Sequence, residues 1–224
     1  AGRDLALVAT SANPGGEPLV IDDADAARRL GGIADLIVTH DRAIVTRADD
    51  SVMRVIDGAP RFLRRARGYV PEPVELGGEG PPVLALGAHL KATVTVTRGR
   101  QAFISQHVGS LDNAETIRFL EETVVHLLHL VDVTPEAIAC DLHPDFATTR
   151  LAEQLGDRFG VPVIGVQHHA AHVGAIAAEH RAEGALLGAI LDGHGVGPDG
   201  EAWGGELIRL AGAGWSRLGH LAPL

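Results

Sequence analysis

One cysteine, one methionine and one tyrosine stand among 224 residues, and aromatics make up only 4% of the chain. The lone Cys140 cannot close an internal disulfide, so no cystine framework holds this fold. There is no apolar run near twenty residues and no charged-then-apolar leader, which argues against a membrane span or a secretory signal. Basic residues are outnumbered as well: 19 Lys and Arg against 29 Asp and Glu leave a net charge of -10. No dense positive face is available for a phosphate backbone. The expected setting is the cytoplasm, with neither membrane nor nucleic acid as partner. What is plentiful is apolar residue, 46% of the chain, enough to build packed cores in one large or two small domains. The opening Ala1-Gly2-Arg3-Asp4, running straight into apolar Leu5 to Ala9, is expected to be an internal boundary of a longer protein.

Pro71, Pro73, Gly77, Gly78, Gly80, Pro81 and Pro82 fall within twelve positions and predict a linker over residues 73–82. Before it, a strand is expected over Leu5 to Ala9, a short helix over Ala24 to Leu30, and a strand over Leu36 to Thr39. A hairpin should turn at Asp57-Gly58. After it, strands are expected at Val83 to Leu86, Ala92 to Thr97 and Ala102 to Gln106. A helix capped by Asp112 or Asn113 should follow, then a strand over Ala137 to Cys140 and a helix over Ala147 to Phe159 stopped by Gly160. Val161 to Val166 reads as a buried strand, His168 to His180 as a helix, and Leu186 to Leu191 and Ala202 to Leu210 as strands. The fold class is α/β: a small α/β unit over residues 1–72, then over 83–224 three paired strands followed by αβαβ, resembling the first lobe of an actin-like ATPase.

Chemistry concentrates where polar residues interrupt these elements. In Gln167-His168-His169-Ala170-Ala171-His172, His168 and His172 are i and i+4 and project from one helix face, a spacing that lets both imidazoles reach one metal ion. Histidines at a helix start account for the same residues without a metal. Asp192, ending the run Leu186 to Leu191 at the carboxyl end of a strand, is the candidate third ligand. Beyond it, Gly193, Gly195, Gly197 and Gly200 leave backbone N–H groups free to approach phosphate oxygens, or simply make a turn. Lys91 follows a Gly87 turn, where the first hairpin of such an ATPase faces the nucleotide phosphates; a solvated lysine is the plainer alternative. Ser105-Gln106-His107-Val108-Gly109 and Asp141-Leu142-His143-Pro144-Asp145 each follow a strand end with the polar density of a cleft, or of any turn. In the first unit Ser11 and Asn13 follow an apolar strand, and Arg64, Arg65 and Arg67 invite an anion in an acidic chain.

Together these motifs resemble the HypF-type carbamoyltransferases of nickel-iron hydrogenase maturation. Thr10-Ser11-Ala12-Asn13, Gly16-Glu17-Pro18, His40-Asp41-Arg42, Asp49-Asp50-Ser51-Val52 and Leu63 to Pro71 resemble the end of the family's YrdC-like domain. Leu86-Gly87-Ala88 with Leu90-Lys91, Ser105-Gln106-His107, Cys140-Asp141-Leu142-His143-Pro144-Asp145, Gln167-His168-His169 and the Asp192 to Glu206 glycine loop resemble the first half of its TsaD-like domain. The loop departs from the family at His194-Gly195-Val196. The resemblance implies an ATP-dependent carbamoyltransferase that makes carbamoyl-adenylate from carbamoyl phosphate and ATP, with Mg, and carries the carbamoyl group to the C-terminal cysteine of HypE. It implies nucleotide contacts at Ser11, Asn13, Ser51, Arg64, Lys91, Gly193 and Gly195, and a divalent metal, Fe or Zn, on His168, His172 and Asp192. It also implies a Zn site in a region upstream of this chain, and that these residues by themselves carry half of each active site. Natural-product carbamoyltransferases place the two domains in the opposite order. A threonylcarbamoyl-tRNA enzyme should be more basic, and a non-catalytic metal-binding module is the remaining alternative.

Overall fold

The computed structural model describes residue 6 and residues 9–222. The Leu5 to Ala9 strand expected from sequence falls largely outside them. Asp22 opens helix α1 (Asp23–Leu30) by accepting the Asp25 N–H at 2.8 Å, and Arg28 and Arg29 occupy the last turn, where they complement the helix dipole. Strands β1 (Val52–Ile56) and β2 (Ala59–Arg64) form an antiparallel hairpin. Its turn residues Asp57 (φ 52) and Gly58 (φ 76) both take positive φ, as the twist of a two-residue hairpin demands. Leu36 to Thr39 is not a strand: Leu36 and Val38 are 79% and 85% exposed, and no described segment hydrogen-bonds to them. An extended apolar run becomes a strand only when a neighbour completes its ladder.

The segment expected as a linker is instead mostly strand. β3 (Val74–Gly80) pairs antiparallel with β5 and forms one edge of a five-stranded sheet. Glycine is tolerated there because an edge strand needs only one ladder. β4 (Val83–Leu86) and β5 (Val94–Ile104) follow. β5 doubles back at Gly99 (φ 60), since the Ser105 N–H donates to the Val94 carbonyl at 2.7 Å, so the meander expected from sequence forms. Helix α2 (Ala114–Val131), capped by Asn113, then leads to β6 (Ala137–Asp141), α3 (Ala147–Phe159) and β7 (Val163–Val166). The sheet order is β3-β5-β4-β6-β7, with β4, β6 and β7 mutually parallel.

Leu84, Val94, Val96 and Ile138 of this sheet are fully buried and pack with Leu120, Val124 and Ala152 of the helices. β7 is not a buried strand: it lies at the sheet edge, with Val163 and Ile164 38% and 50% exposed. Helix α4 (His168–Glu179) crosses from β7 to a second, antiparallel sheet of β8 (Leu186–Ile190), β11 (Glu206–Ala211) and β12 (Gly214–His220), ordered β12-β11-β8. Short β9 (Gly195–Val196) and β10 (Ala202–Trp203) pair beside it, and a small core of Val173, Ile190, Trp203 and Ile208 joins α4 to this sheet. The strand expected over Ala202 to Leu210 is thus interrupted at Gly204 and Gly205. Gly205 has φ 68, and a Cβ on Gly204 would meet the Gly193 carbonyl oxygen at 2.7 Å. Among the described residues, no helix is long and apolar enough to cross a membrane.

Candidate metal centre and its cleft

Three strand ends build the centre. β7 runs through Gln167 into α4, and the Gln167 side chain caps that helix by accepting the Ala170 N–H at 2.9 Å. The cap sets His168 and His172 one turn apart on the same face. β8 ends just before Asp192. One ligand atom from each of His168, His172 and Asp192 lies within 4.8 Å of the others. His168 Nε2 is 2.9 Å, and His172 Nε2 3.6 Å, from the same Asp192 oxygen. Two imidazole nitrogens and one carboxylate oxygen are a donor set that suits a divalent transition metal.

A fourth residue, not singled out as a ligand or contact from sequence, completes the arrangement. Asp141, at the end of β6, places Oδ2 2.8 Å from His168 Nδ1, and its Oδ1 accepts the His143 N–H at 2.9 Å. That hydrogen bond, reinforced by the charges of Asp141 and Asp192, outweighs burial and raises the His168 imidazole above its ordinary range. Burial opposes ionisation of Asp141 and Asp192. The His168 ring and a backbone N–H on each, from His143 and Gly193, prevail and hold both carboxyls below the usual range. The neighbouring His169 is fully buried, and burial pushes its imidazole down; its Nδ1 lies 3.0 Å from Gln167 Nε2. The sequence signal that could have found Asp141 is its position at the carboxyl end of a parallel strand, the same position that drew attention to Asp192.

A cleft of about 490 Å³ opens beside the centre, lined by Asp141, His168 and His172 on one side and by Gly87 and Lys91 on the other. Lys91 is exposed, with φ 51. Of the glycine-loop residues, Gly193 is exposed and donates its N–H to Asp192 Oδ1 at 2.8 Å. Gly195 is buried against α4: a Cβ there would come within 2.8 Å of His168 Cβ and of His169 Cε1.

The first-unit residues gather elsewhere. Asn13 and Arg64 line a second cleft of about 390 Å³ together with Arg47, Gln106 and His107. Ser11 and Ser51 do not line it. Ser11 donates to Asn13 Oδ1, while the Ser51 hydroxyl donates to the Arg67 carbonyl at 2.9 Å and accepts the Ala66 N–H at 2.8 Å, tying down the end of the hairpin. Arg64 donates Nε–H to the Asp50 carbonyl at 2.8 Å. Arg47 bridges the two units: it pairs with Glu122 and lies over the Phe119 ring at 5.4 Å.

Comparison with known proteins accounts for this two-part build. A model described as the HypF Kae1-like domain matches residues 78–179, and one for the second subdomain of the carbamoyltransferase Kae1-like domain matches 188–224. Residues 2–66 match the Sua5/YciO/YrdC model, described as telomere recombination. The carbamoyltransferase HypF of Rhizobium leguminosarum bv. viciae is 63% identical over 219 residues, 98% of this chain and 28% of that protein. The chain belongs to the HypF carbamoyltransferase family. HypF2 of Cupriavidus necator is 53% identical over 226 residues, covering 99% of this chain and 28% of its own length. The crystal structure of full-length HypF in the phosphate- and nucleotide-bound form superposes with a TM-score of 0.85 at 39% identity, covering 93% of this chain and 32% of that one. The crystal structure of T. kodakarensis HypF gives a TM-score of 0.86 at 38% identity, covering 95% of this chain and 28% of that one. The chain therefore spans less than a third of the length of these HypF relatives.

Proposed function

We propose that this chain is the central part of an ATP-dependent carbamoyltransferase of nickel-iron hydrogenase maturation, acting in the cytoplasm. The observation that carries this reading is the convergence of His168, His172 and Asp192, the two histidines lining one cleft with Lys91, in a chain 63% identical to a carbamoyltransferase HypF. In the reaction, water hydrolyses carbamoyl phosphate to carbamate and inorganic phosphate. The carbamate oxygen attacks the α-phosphorus of Mg-bound ATP, forming carbamoyl-adenylate as pyrophosphate leaves. The thiolate of the C-terminal cysteine of HypE then attacks the carbamoyl carbon, the bond to the AMP phosphate oxygen breaks, and AMP departs with the electron pair. That a relative crystallised in a phosphate- and nucleotide-bound form supports the nucleotide part of this scheme.

In the adenylating unit, Arg64 offers a guanidinium to the nucleotide phosphates; Asn13, held by Ser11 and donating its amide to the Pro14 and Glu17 carbonyls, shapes the loop beside them, and Ser51 fixes the hairpin end that carries Arg64. In the transferring unit, Lys91 faces the AMP phosphate across the cleft, and the Gly193 to Gly195 loop supplies backbone near Asp192. His168, His172 and Asp192 would hold a divalent metal, Fe or Zn, which when bound would supply Lewis-acid polarisation of the carbamoyl carbonyl or the leaving phosphate. The test uses the full-length protein with ATP, carbamoyl phosphate and HypE, read by intact mass of HypE. A carbamoyl adduct that requires both ATP and carbamoyl phosphate is the expected result. An unmodified HypE, or an adduct formed without ATP, contradicts the proposal.

A further inference from the structure

We propose that Asp141 is a positioning residue for the metal centre: its carboxylate locks the His168 ring so that Nε2, and not Nδ1, faces His172 and Asp192. This rests on the metal reading above. An imidazole has its two nitrogens on opposite edges, so whichever one is tied to a fixed acceptor leaves the other to the metal. Asp141 is such an acceptor. It is 9% exposed, and both its oxygens are engaged, one by the His143 N–H at 2.9 Å and the other by His168 Nδ1 at 2.8 Å. The scaffold beneath it is rigid: in the parallel pairing of β6 with β7, Asp141 stands opposite Val166, two residues before His168. A carboxylate fixed by a sheet thus sets the rotation of the ring, not merely its charge.

His172 contrasts with this. It is half exposed, with Asp192 at 3.6 Å and the His168 ring centroid at 4.9 Å, and no carboxylate like Asp141 is paired with it at hydrogen-bond distance among the described residues. Within this centre His168 is the pre-set ligand and His172 the one free to adjust. The tautomer that Asp141 selects, with hydrogen on Nδ1, also leaves the Nε2 lone pair directed at Asp192 and His172 rather than into the strand end. Partners of this kind change metal affinity about 10- to 100-fold when removed.

The experiment measures Zn²⁺ affinity by chelator competition, and the d–d absorption of the Co²⁺ form, in the full-length protein as wild type, D141A, D141N and H168A/H172A. D141A should bind Zn²⁺ about 10- to 100-fold more weakly than wild type and show altered Co²⁺ bands. D141N, whose single amide oxygen can still accept from Nδ1–H while its NH2 loses the His143 N–H contact, should lose less affinity than D141A and keep bands nearer the wild type. A structural role alone would not restore a ligand-field signature through an uncharged acceptor. If D141A does not fold, D141L, of similar volume and without an acceptor, takes its place. Wild-type Zn²⁺ affinity in D141A or D141L, with binding lost in H168A/H172A, overturns this inference and leaves the metal centre standing. Equal losses in D141A and D141N also overturn it. Wild-type protein that binds Zn²⁺ no better than H168A/H172A refutes the metal reading itself, and the inference with it.

Discussion

His168 and Asp192, 24 residues apart, meet at 2.9 Å across the junction between two sheets, one contributed through β7 and α4 and the other through β8. A cation held at that junction would bind the folded arrangement and not the unfolded chain. Saturating Zn²⁺ at about 100 times its dissociation constant should therefore stabilise the protein by about 2.7 kcal/mol, with the rise in unfolding temperature reversed by EDTA. No rise, or an equal rise in H168A/H172A, would remove the centre from the stability of the fold.

Gly195 separates packing from backbone flexibility as the reason for glycine in the loop. G195A places a Cβ 2.8 Å from both His168 Cβ and His169 Cε1, whereas at Gly193 an added Cβ meets nothing within 4 Å. G195A should cost about 1–3 kcal/mol and weaken metal binding. G193A should cost much less. Thermal unfolding and chelator competition on the pair decide it, and equal effects would show that the contact at Gly195 relaxes freely.

Lys91 has φ 51, a conformation that disfavours side chains beyond glycine, yet the residue lines the cleft with His168. K91G should leave the unfolding temperature unchanged or higher while carbamoyl transfer falls at least tenfold. Undiminished transfer in K91G would make the lysine an ordinary solvated residue.

The Glu206 carboxylate is buried and receives two hydrogen bonds from Arg217, Nε at 2.6 Å and Nη2 at 2.8 Å. Burial opposes its ionisation, but Arg217 outweighs that and holds the carboxyl below its ordinary 4.5. A depressed folded pKa contributes stability above the unfolded value, and that contribution is lost as pH falls through the folded value. Stability should thus decline with acid below about pH 4.5, and E206Q, already lacking the charge, should show a shallower decline. Chemical denaturation from pH 6 to pH 3 tests this, and parallel slopes would contradict it.

Where local chemistry was strong, the sequence was legible almost to the residue. Asn113, Gly160 and Gln167 bound their helices through a side-chain cap, a left-handed stop and a second cap, none of which depends on distant parts of the chain. The i and i+4 spacing of His168 and His172, with Asp192 at a strand end, pointed to the convergence that the structure shows. Illegible features were those decided by a neighbour. β3 looked like a linker because glycine and proline conceal an edge strand, and Leu36 to Thr39 looked like a strand although no described segment pairs with it. The Asp141 to His168 contact spans 27 residues and depends on β6 lying parallel to β7, a pairing that no local pattern specifies.

The most direct test of the account is carbamoyl transfer to HypE by the full-length protein, with and without H168A/H172A, followed by intact mass and by carbamoyl-phosphate-dependent ATP–pyrophosphate exchange. The account predicts loss of the HypE adduct with exchange intact, because the histidine pair serves the transfer cleft and not the cleft lined by Asn13 and Arg64. Undiminished transfer by the double variant would contradict it and leave the histidines as parts of the fold.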